Sequence, residues 1–383
     1  MNIRPNSHQP ISAPLFIFSV VSVIICCAAR AHGLRWPIKG APMLAFTKKL
    51  LYENRDLNLI PEMKLGKFGT DKTGLMVVGN RGACLLSLEG QPVRCISYLQ
   101  HNLYSVQVVE LPKQNDYVFV AGGIWGEPAA VVMDSEGKVK WGYDAKFRAI
   151  GAPAVIDHRA SGGQAVAVFE RERGLLFFDL ATGKLLSIKQ PSAPLRGIQA
   201  IDFDGDGRKE LLANDTKDRL ITLNSSGEVV MWAESQVFSF AVTQSEPSNI
   251  LIAPDIADVR LVDAPNVVAR KPGKMVLLNR KLQRVASWDT PYPYPGTSYL
   301  RLIAAEPLGA PNQGSGLVSL FAGSGGWHKT PLFIHSWDGK LLYTELLEDH
   351  YLSILPLPGA EQDAGSFLVG GRGQVWRYSL PER

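Results

Sequence analysis

The chain has 383 residues, 46% of them apolar and 20% charged, with a formal net charge of +4. This is globular composition, and it excludes a disordered or collagen-like chain. So small an excess of positive charge gives no ground for a nucleic-acid partner.

The first thirty residues differ from the rest. Pro14 to Ala29 is almost wholly apolar and is preceded by Arg4 and a polar stretch. Ala29-Arg30-Ala31 then supplies an A-x-A cleavage pattern. Residues 1–31 read as a secretory signal peptide, with the mature chain starting at His32. The apolar run is about 16 residues, short of the ~20 that a spanning helix needs. No stable membrane insertion is expected once it is removed. Cys26 and Cys27 follow Ile24-Ile25 rather than a small residue, which argues against a lipoprotein. Losing Arg4 and Arg30 lowers the net charge from +4 to +2. The expected product is an exported monomer, periplasmic or extracellular, with a lead over 32–44 and one domain over 45–383.

From there a single phrase recurs, an apolar strand running through a tight turn into a second strand. Its copies are ACLLSLEGQPVRC (83–95), AVVMDSEGKVKW (130–141), LLFFDLATGKLLS (175–187), LITLNSSGEVVMW (220–232), MVLLNRKLQRVASW (275–288) and LFIHSWDGKLLYT (332–344). A further copy is split, with QVWRYSL (374–380) as its first half and KKLLYENRD (48–56) as its second. Two more β-rich runs precede each copy, such as YSVQVVEL (104–111) and YVFVAGG (117–123). Short β-branched and aromatic runs between turn residues are strands. A four-strand unit repeated along the chain, with its last copy completed by the chain's own beginning, closes a ring. The expected fold is an all-β, seven-bladed β-propeller of four-stranded blades, its last blade closed by the N-terminal strand. Position five of the outermost strands holds Tyr52, Cys95, Trp141, Ser187, Trp232, Trp288 and Tyr343. The large rings there are expected to pack between blades.

LLFFDLATGKLLS resembles the blade repeat of propellers related to the quinoprotein enzymes. APAVIDHRASGGQAVAVF and IDFDGDGRKELLAN resemble the FG-GAP or VCBS-type repeat of secreted and adhesive propellers. The resemblance is one of superfamily. The quinone enzymes carry a vicinal cysteine pair, but the pair here, Cys26-Cys27, lies in the signal segment, so no organic cofactor is expected.

Asp202-Phe-Asp204-Gly-Asp206-Gly-Arg-Lys-Glu210 places oxygen donors at alternate positions around a glycine turn, a pattern that suits a hard cation. In similar calcium loops the side chains of Asp202, Asp204, Asp206 and Glu210 bind, and Arg208 adds its main-chain oxygen. One structural Ca2+ is therefore expected. Cys84 and Cys95 lie on the two arms of one hairpin, where a cross-strand disulfide is expected in an oxidising compartment. A pair of buried thiols is the alternative.

Two sets of loops should meet at one end of the channel. The first joins the middle strands and holds Asn80-Arg81, Trp125, Arg171, Arg173, Lys217, Trp327, His328, Lys329 and Arg372. The second leads into the innermost strands and aligns Asn58, Ser105, Arg148, Arg196, Ser239, Arg301 and Ser353. That polar ring with three arginines suits a carboxylate, phosphate or sulfate group. No G-x-S-x-G, H-E-x-x-H or C-x-x-C pattern occurs in the chain. The reading is a non-catalytic propeller that binds a protein or an acidic glycan at the channel mouth. A polysaccharide hydrolase or lyase using the same mouth, and an envelope assembly scaffold, are the alternatives.

Overall fold

The structure is a computed structural model. It describes residues 46–98, 103–111, 116–123, 128–146, 149–158, 161–202, 206–217, 219–224, 226–234, 237–242, 250–254, 274–279, 281–289, 300–308, 316–323, 329–357 and 365–379. These residues form antiparallel four-stranded sheets, and their one helical element is a 3-10 turn at Arg55–Leu57.

Six sheets are each built from one continuous stretch of chain. Numbered in chain order, sheet 1 runs from an inner strand at Glu62–Gly66 to an outer strand at Pro92–Ser97. Sheets 2 and 3 begin at Leu103–Leu111 and Ala154–His158. Sheets 4, 5 and 6 begin at Leu195–Ile201, Val237–Val242 and Leu300–Leu308. Counted as continuous four-strand units, the blades therefore number six, where seven, the last of them closed by the N-terminal strand, were expected. The remaining sheet is a composite, with Ser353–Pro356, Phe367–Gly370 and Gln374–Ser379 paired in turn and Thr47–Glu53 added at its outer edge.

The apolar residues explain why the sheets stand side by side. Both faces of each sheet are apolar, so neither can be left in water. The core is divided into clusters that each lie between two neighbouring sheets. Phe68, Met76 and Val78 of sheet 1 join Val106, Phe119 and Val131 of sheet 2. The same holds between sheets 2 and 3, 3 and 4, 4 and 5, 5 and 6, and between sheet 6 and the composite sheet. The last cluster closes the ring, packing Ile60, Met63 and Val77 of sheet 1 against Leu368 and Val375 of the composite sheet.

The N-terminal strand is held by more than its ladder. Lys48 pairs with Glu345 of sheet 6 at 2.9 Å and lies over the Trp376 ring at 4.7 Å. Glu345 also accepts from Tyr378 Oη at 2.8 Å and from Tyr343 Oη at 3.1 Å. Phe46 packs edge-on against Tyr343 with centroids 5.0 Å apart.

Cys84 and Cys95 are cross-strand partners in sheet 1 and are joined by a disulfide. Tyr52 Oη of the N-terminal strand donates to Cys84 Sγ at 3.1 Å, so this bridge sits in the closing seam.

The outer aromatic positions follow a packing rule, with one exception. Trp141 lies against the turn glycine of sheet 3, where a Cβ on Gly183 would come within 2.7 Å of the indole. Its Nε1 donates to the Leu180 carbonyl at 2.9 Å. Trp288 lies in the same way against Gly339 of sheet 6, at 2.6 Å. The turn of sheet 5 has Leu282 at that place, with φ 56. The Leu282 side chain fills the seam with Leu212, Leu220 and Met231. Trp232 is left 52% exposed, with Arg219 over its ring at 5.9 Å, whereas Trp288 is 8% exposed. The expectation that every outer aromatic packs between blades is thus corrected at Trp232, because a side chain occupies the space a glycine leaves elsewhere. Gly183 sits at φ 70, so Gly183→Ala should cost about 2 kcal/mol through left-handed strain and the lost indole contact. Urea unfolding measures it, and the midpoint should fall with no change in slope.

Candidate functional site

Two ends of the ring are defined by strand register. At the first end, the turns between the middle strands lie beside the starts of the inner strands. Leu59 bridges Arg372 and Ala149 bridges Glu170 there. Arg81, Arg171, Lys217 and Arg372 are exposed in four of these turns, and Glu172 is the exposed acid among the described ones. Arg173 is committed elsewhere. It donates to Tyr143 Oη at 2.6 Å and lies 3.6 Å from the fully buried Glu170 carboxylate. Asp215, also fully buried, is paired with Arg219 at 2.6 Å. These two acids fix the middle turns of sheets 3 and 4, accepting main-chain and side-chain donors that the turn would otherwise leave unmet.

The residues aligned from sequence as one ring are not equivalent in the structure. Three inner strands begin with a bulge, and the extra residue is Tyr104 in sheet 2, Arg196 in sheet 4 and Phe238 in sheet 5. Ser105 and Ser239 are paired residues one place further on, opposite Gly122 and Ala253. Arg196 is therefore out of register with them, because a one-residue slip in a strand reverses the face. Arg196 is exposed. Arg301 pairs with Ala322 inside its ladder. Asn58 has φ 58, and its carbonyl accepts from Gly373 N at 2.6 Å. Ser353 is buried, and its hydroxyl donates to the Ile60 carbonyl of the next sheet at 2.9 Å. Trp125, Arg148, Asp204, Trp327 and His328 lie outside the described residues.

Ser353 belongs to a series of contacts that sequence spacing did not reveal. Polar side chains of inner strands reach the main chain of the next sheet around the channel. Glu62 Oε2 accepts from Val108 N at 2.6 Å. Gln107 Nε2 donates to the Pro153 carbonyl at 2.9 Å. Asp157 Oδ2 accepts from Lys209 N at 2.8 Å, and Asp157 N donates to the Lys209 carbonyl at 3.0 Å. An inner strand has one edge with no ladder partner, so its amides and carbonyls need such partners. The readable signal was modest: a polar residue in an otherwise apolar inner strand.

Charged groups gather at the second end. Lys64 Nζ lies 3.2 Å from Glu110 Oε1. Lys209 feels the charges of Lys64, Glu62, Asp157 and Glu110, so sheets 1 to 4 all contribute. Burial pushes the Glu62 carboxyl up to about 7, against the opposing pull of Lys64 and the Val108 amide. Burial lowers the Lys209 ammonium, and Lys64 adds to that.

The acidic loop lies at this same end. Asp202 Oδ2 accepts from Gly207 N at 3.0 Å and Asp206 Oδ1 from Arg208 N at 2.9 Å. Glu210 is buried and opens the second strand of sheet 4 opposite Ile201. Among the described residues, no three Asp, Glu, His or Cys side chains converge as a metal site. No helix among them is long and apolar enough to cross a membrane.

No protein-family model matches this chain, and no curated protein matches its sequence. Solved structures do match its fold. BBS1N in its crystal complex with ARL6DN, soaked with lead, aligns with TM-score 0.53 at 8% identity, over 89% of this chain and 97% of that one. The mercury-soaked crystal of the same complex gives TM-score 0.55 at 8% identity, over 88% and 96%. Raptor of Chaetomium thermophilum gives TM-score 0.52 at 10% identity, over 87% of this chain and 29% of that one. The chain is thus a β-propeller, and at such identities the likeness carries the fold alone.

Glu62 has a measurable consequence. Its folded value of about 7 lies above the ordinary 4.5, so between those values the native state holds more protons than the unfolded chain. Stability then falls as pH rises through that window. Glu62→Gln, which keeps an acceptor for Val108 N, should remove this fall. Urea midpoints of both proteins from pH 4.5 to 8 test it, and parallel curves would show that Glu62 does not titrate there.

Proposed function

We propose that this protein is a non-catalytic binding propeller whose first end docks a protein partner. The observation that carries the reading is the set of exposed cations at equivalent turns of four sheets, Arg81, Arg171, Lys217 and Arg372. The buried acids behind two of these turns hold them in fixed positions. Cations presented on a rigid ring favour a surface of opposite charge, and they act on association rate and specificity. That BBS1N was crystallised with ARL6DN supports the reading by analogy of fold. The test is affinity capture from the native extract with the wild type and with Arg81→Glu/Arg171→Glu/Lys217→Glu/Arg372→Glu. A partner should be retained by the wild type, lost from the variant, and released by 0.5 M salt. The same proteins on both baits would sink the proposal.

We further infer that the protein is exported. The apolar run, the A-x-A pattern and the Cys84–Cys95 disulfide support this, since such bonds persist in oxidising compartments. Sequencing the N-terminus of the protein recovered from its host should begin at His32. A retained Met1 would count against export by cleavage.

A further inference from the structure

We propose that the Cys84–Cys95 disulfide is a thiol-exchange site, opened by a dithiol that attacks Cys95, and that Tyr52 couples its state to the strand that closes the ring. The site does not depend on the partner docking at the cationic turns.

The two sulfurs are unlike. Cys84 lies on Gly82–Leu86 of sheet 1, and Cys95 lies directly opposite on Pro92–Ser97, the outermost strand. Cys84 is fully buried in the closing seam with Leu57, Met63 and Val375, whereas Cys95 is exposed. A thiolate in solution therefore reaches Cys95. Exchange needs one sulfur to be attacked and the other to leave with the electron pair, and it is faster when the charge on the leaving sulfur is stabilised. Cys84 has such a partner. Tyr52 Oη donates to its Sγ at 3.1 Å and lies 3.6 Å from Cys95 Sγ, so the hydroxyl proton is directed to the buried sulfur. Asn54 Nδ2 holds that hydroxyl, donating to Tyr52 Oη at 3.3 Å. Asn54 is itself fixed, its N donating to the Gly373 carbonyl at 2.7 Å and its Oδ1 accepting from Asp56 N at 3.0 Å.

In the first step a thiolate of the dithiol bonds to Cys95 Sγ and the Cys84–Cys95 bond breaks. The electron pair passes to Cys84 Sγ, which takes up the proton the attacking thiol released. In the second step the other thiolate of the dithiol attacks its own partner sulfur in the mixed disulfide, and Cys95 leaves and is protonated. Two electrons pass to the cysteines, and the dithiol becomes a disulfide. Tyr52 belongs to Thr47–Glu53, the strand added to the composite sheet. Its neighbour Leu51 lies on the turn of the same hairpin, where a Cβ on Gly90 would come within 2.4 Å of the Leu51 carbonyl oxygen. The disulfide ties the two arms of that hairpin together, so opening it loosens the seat of the closing strand.

Glutathione, a monothiol, tests the first step on the oxidised, folded protein, with N-ethylmaleimide as the trap. Arg94 separates the two cysteines into different tryptic peptides. Glutathione should be found on Cys95 and ethylmaleimide on Cys84, and the reverse or an equal distribution overturns the assignment. Reduction by dithiothreitol should proceed at a rate unaffected by urea below the unfolding transition. A rate that climbs with the unfolded fraction would show that the bond opens only in unfolded chains, and overturns the site. Tyr52→Phe should slow reduction about tenfold, roughly what one hydrogen bond to a charged atom contributes, with the thermal midpoint of the oxidised protein close to wild type. An unchanged rate removes Tyr52 from the step. On reduction the amides of Thr47–Glu53 should lose protection from hydrogen exchange while those of Gly163–Glu170 in sheet 3 keep theirs. Equal protection of Thr47–Glu53 before and after reduction overturns the coupling.

Discussion

The constraint on which this structure rests is that each sheet is apolar on both faces. A sheet of that kind cannot end against water, so every one must be covered on both sides by another. A ring is the arrangement in which each sheet meets that demand with identical neighbours and none is left over. The core is consequently a series of seams rather than one central mass, and the closing seam between sheet 1 and the composite sheet is as apolar as the others. The ion pair of Lys48 with Glu345, the rings around it and the disulfide beside Tyr52 all cluster at this closure, where the chain ends would otherwise separate.

Once the faces are buried in seams, the polar chemistry is confined to the two ends and to the channel edge. The first end carries cations on four turns, two of which have a buried acid beneath them. The second end carries a mixed cluster in which charges of four sheets act on one another. The channel edge between them is satisfied by side chains crossing from one sheet to the next, at Glu62, Gln107, Asp157 and Ser353.

Much of this was legible in the sequence, and the misses have local causes. The recurring strand-turn-strand phrase revealed an all-β ring and the pairing of Thr47–Glu53 with the C-terminal strand. The opposed positions of Cys84 and Cys95 revealed their cross-strand relation. The inner-strand ring was misaligned because a bulge adds a residue that has no mark in the sequence, so Arg196 is unpaired where Ser105 is paired. Trp232 was misassigned because its exposure depends on Leu282, fifty residues away in the next sheet. Lys209 and Glu62 were not singled out, since each is an ordinary charged residue within its own repeat.

The sequence by itself determined the period, the strand pattern and the way the ends meet, because these follow from local turn chemistry and from alternation along each strand. Tertiary structure alone decided which charges share a space. Glu62, Lys64, Glu110, Asp157 and Lys209 span well over a hundred positions along the chain, and only the ring brings their sheets together. Burial there raises the Glu62 carboxyl and lowers the Lys209 ammonium, which residue type alone would not do.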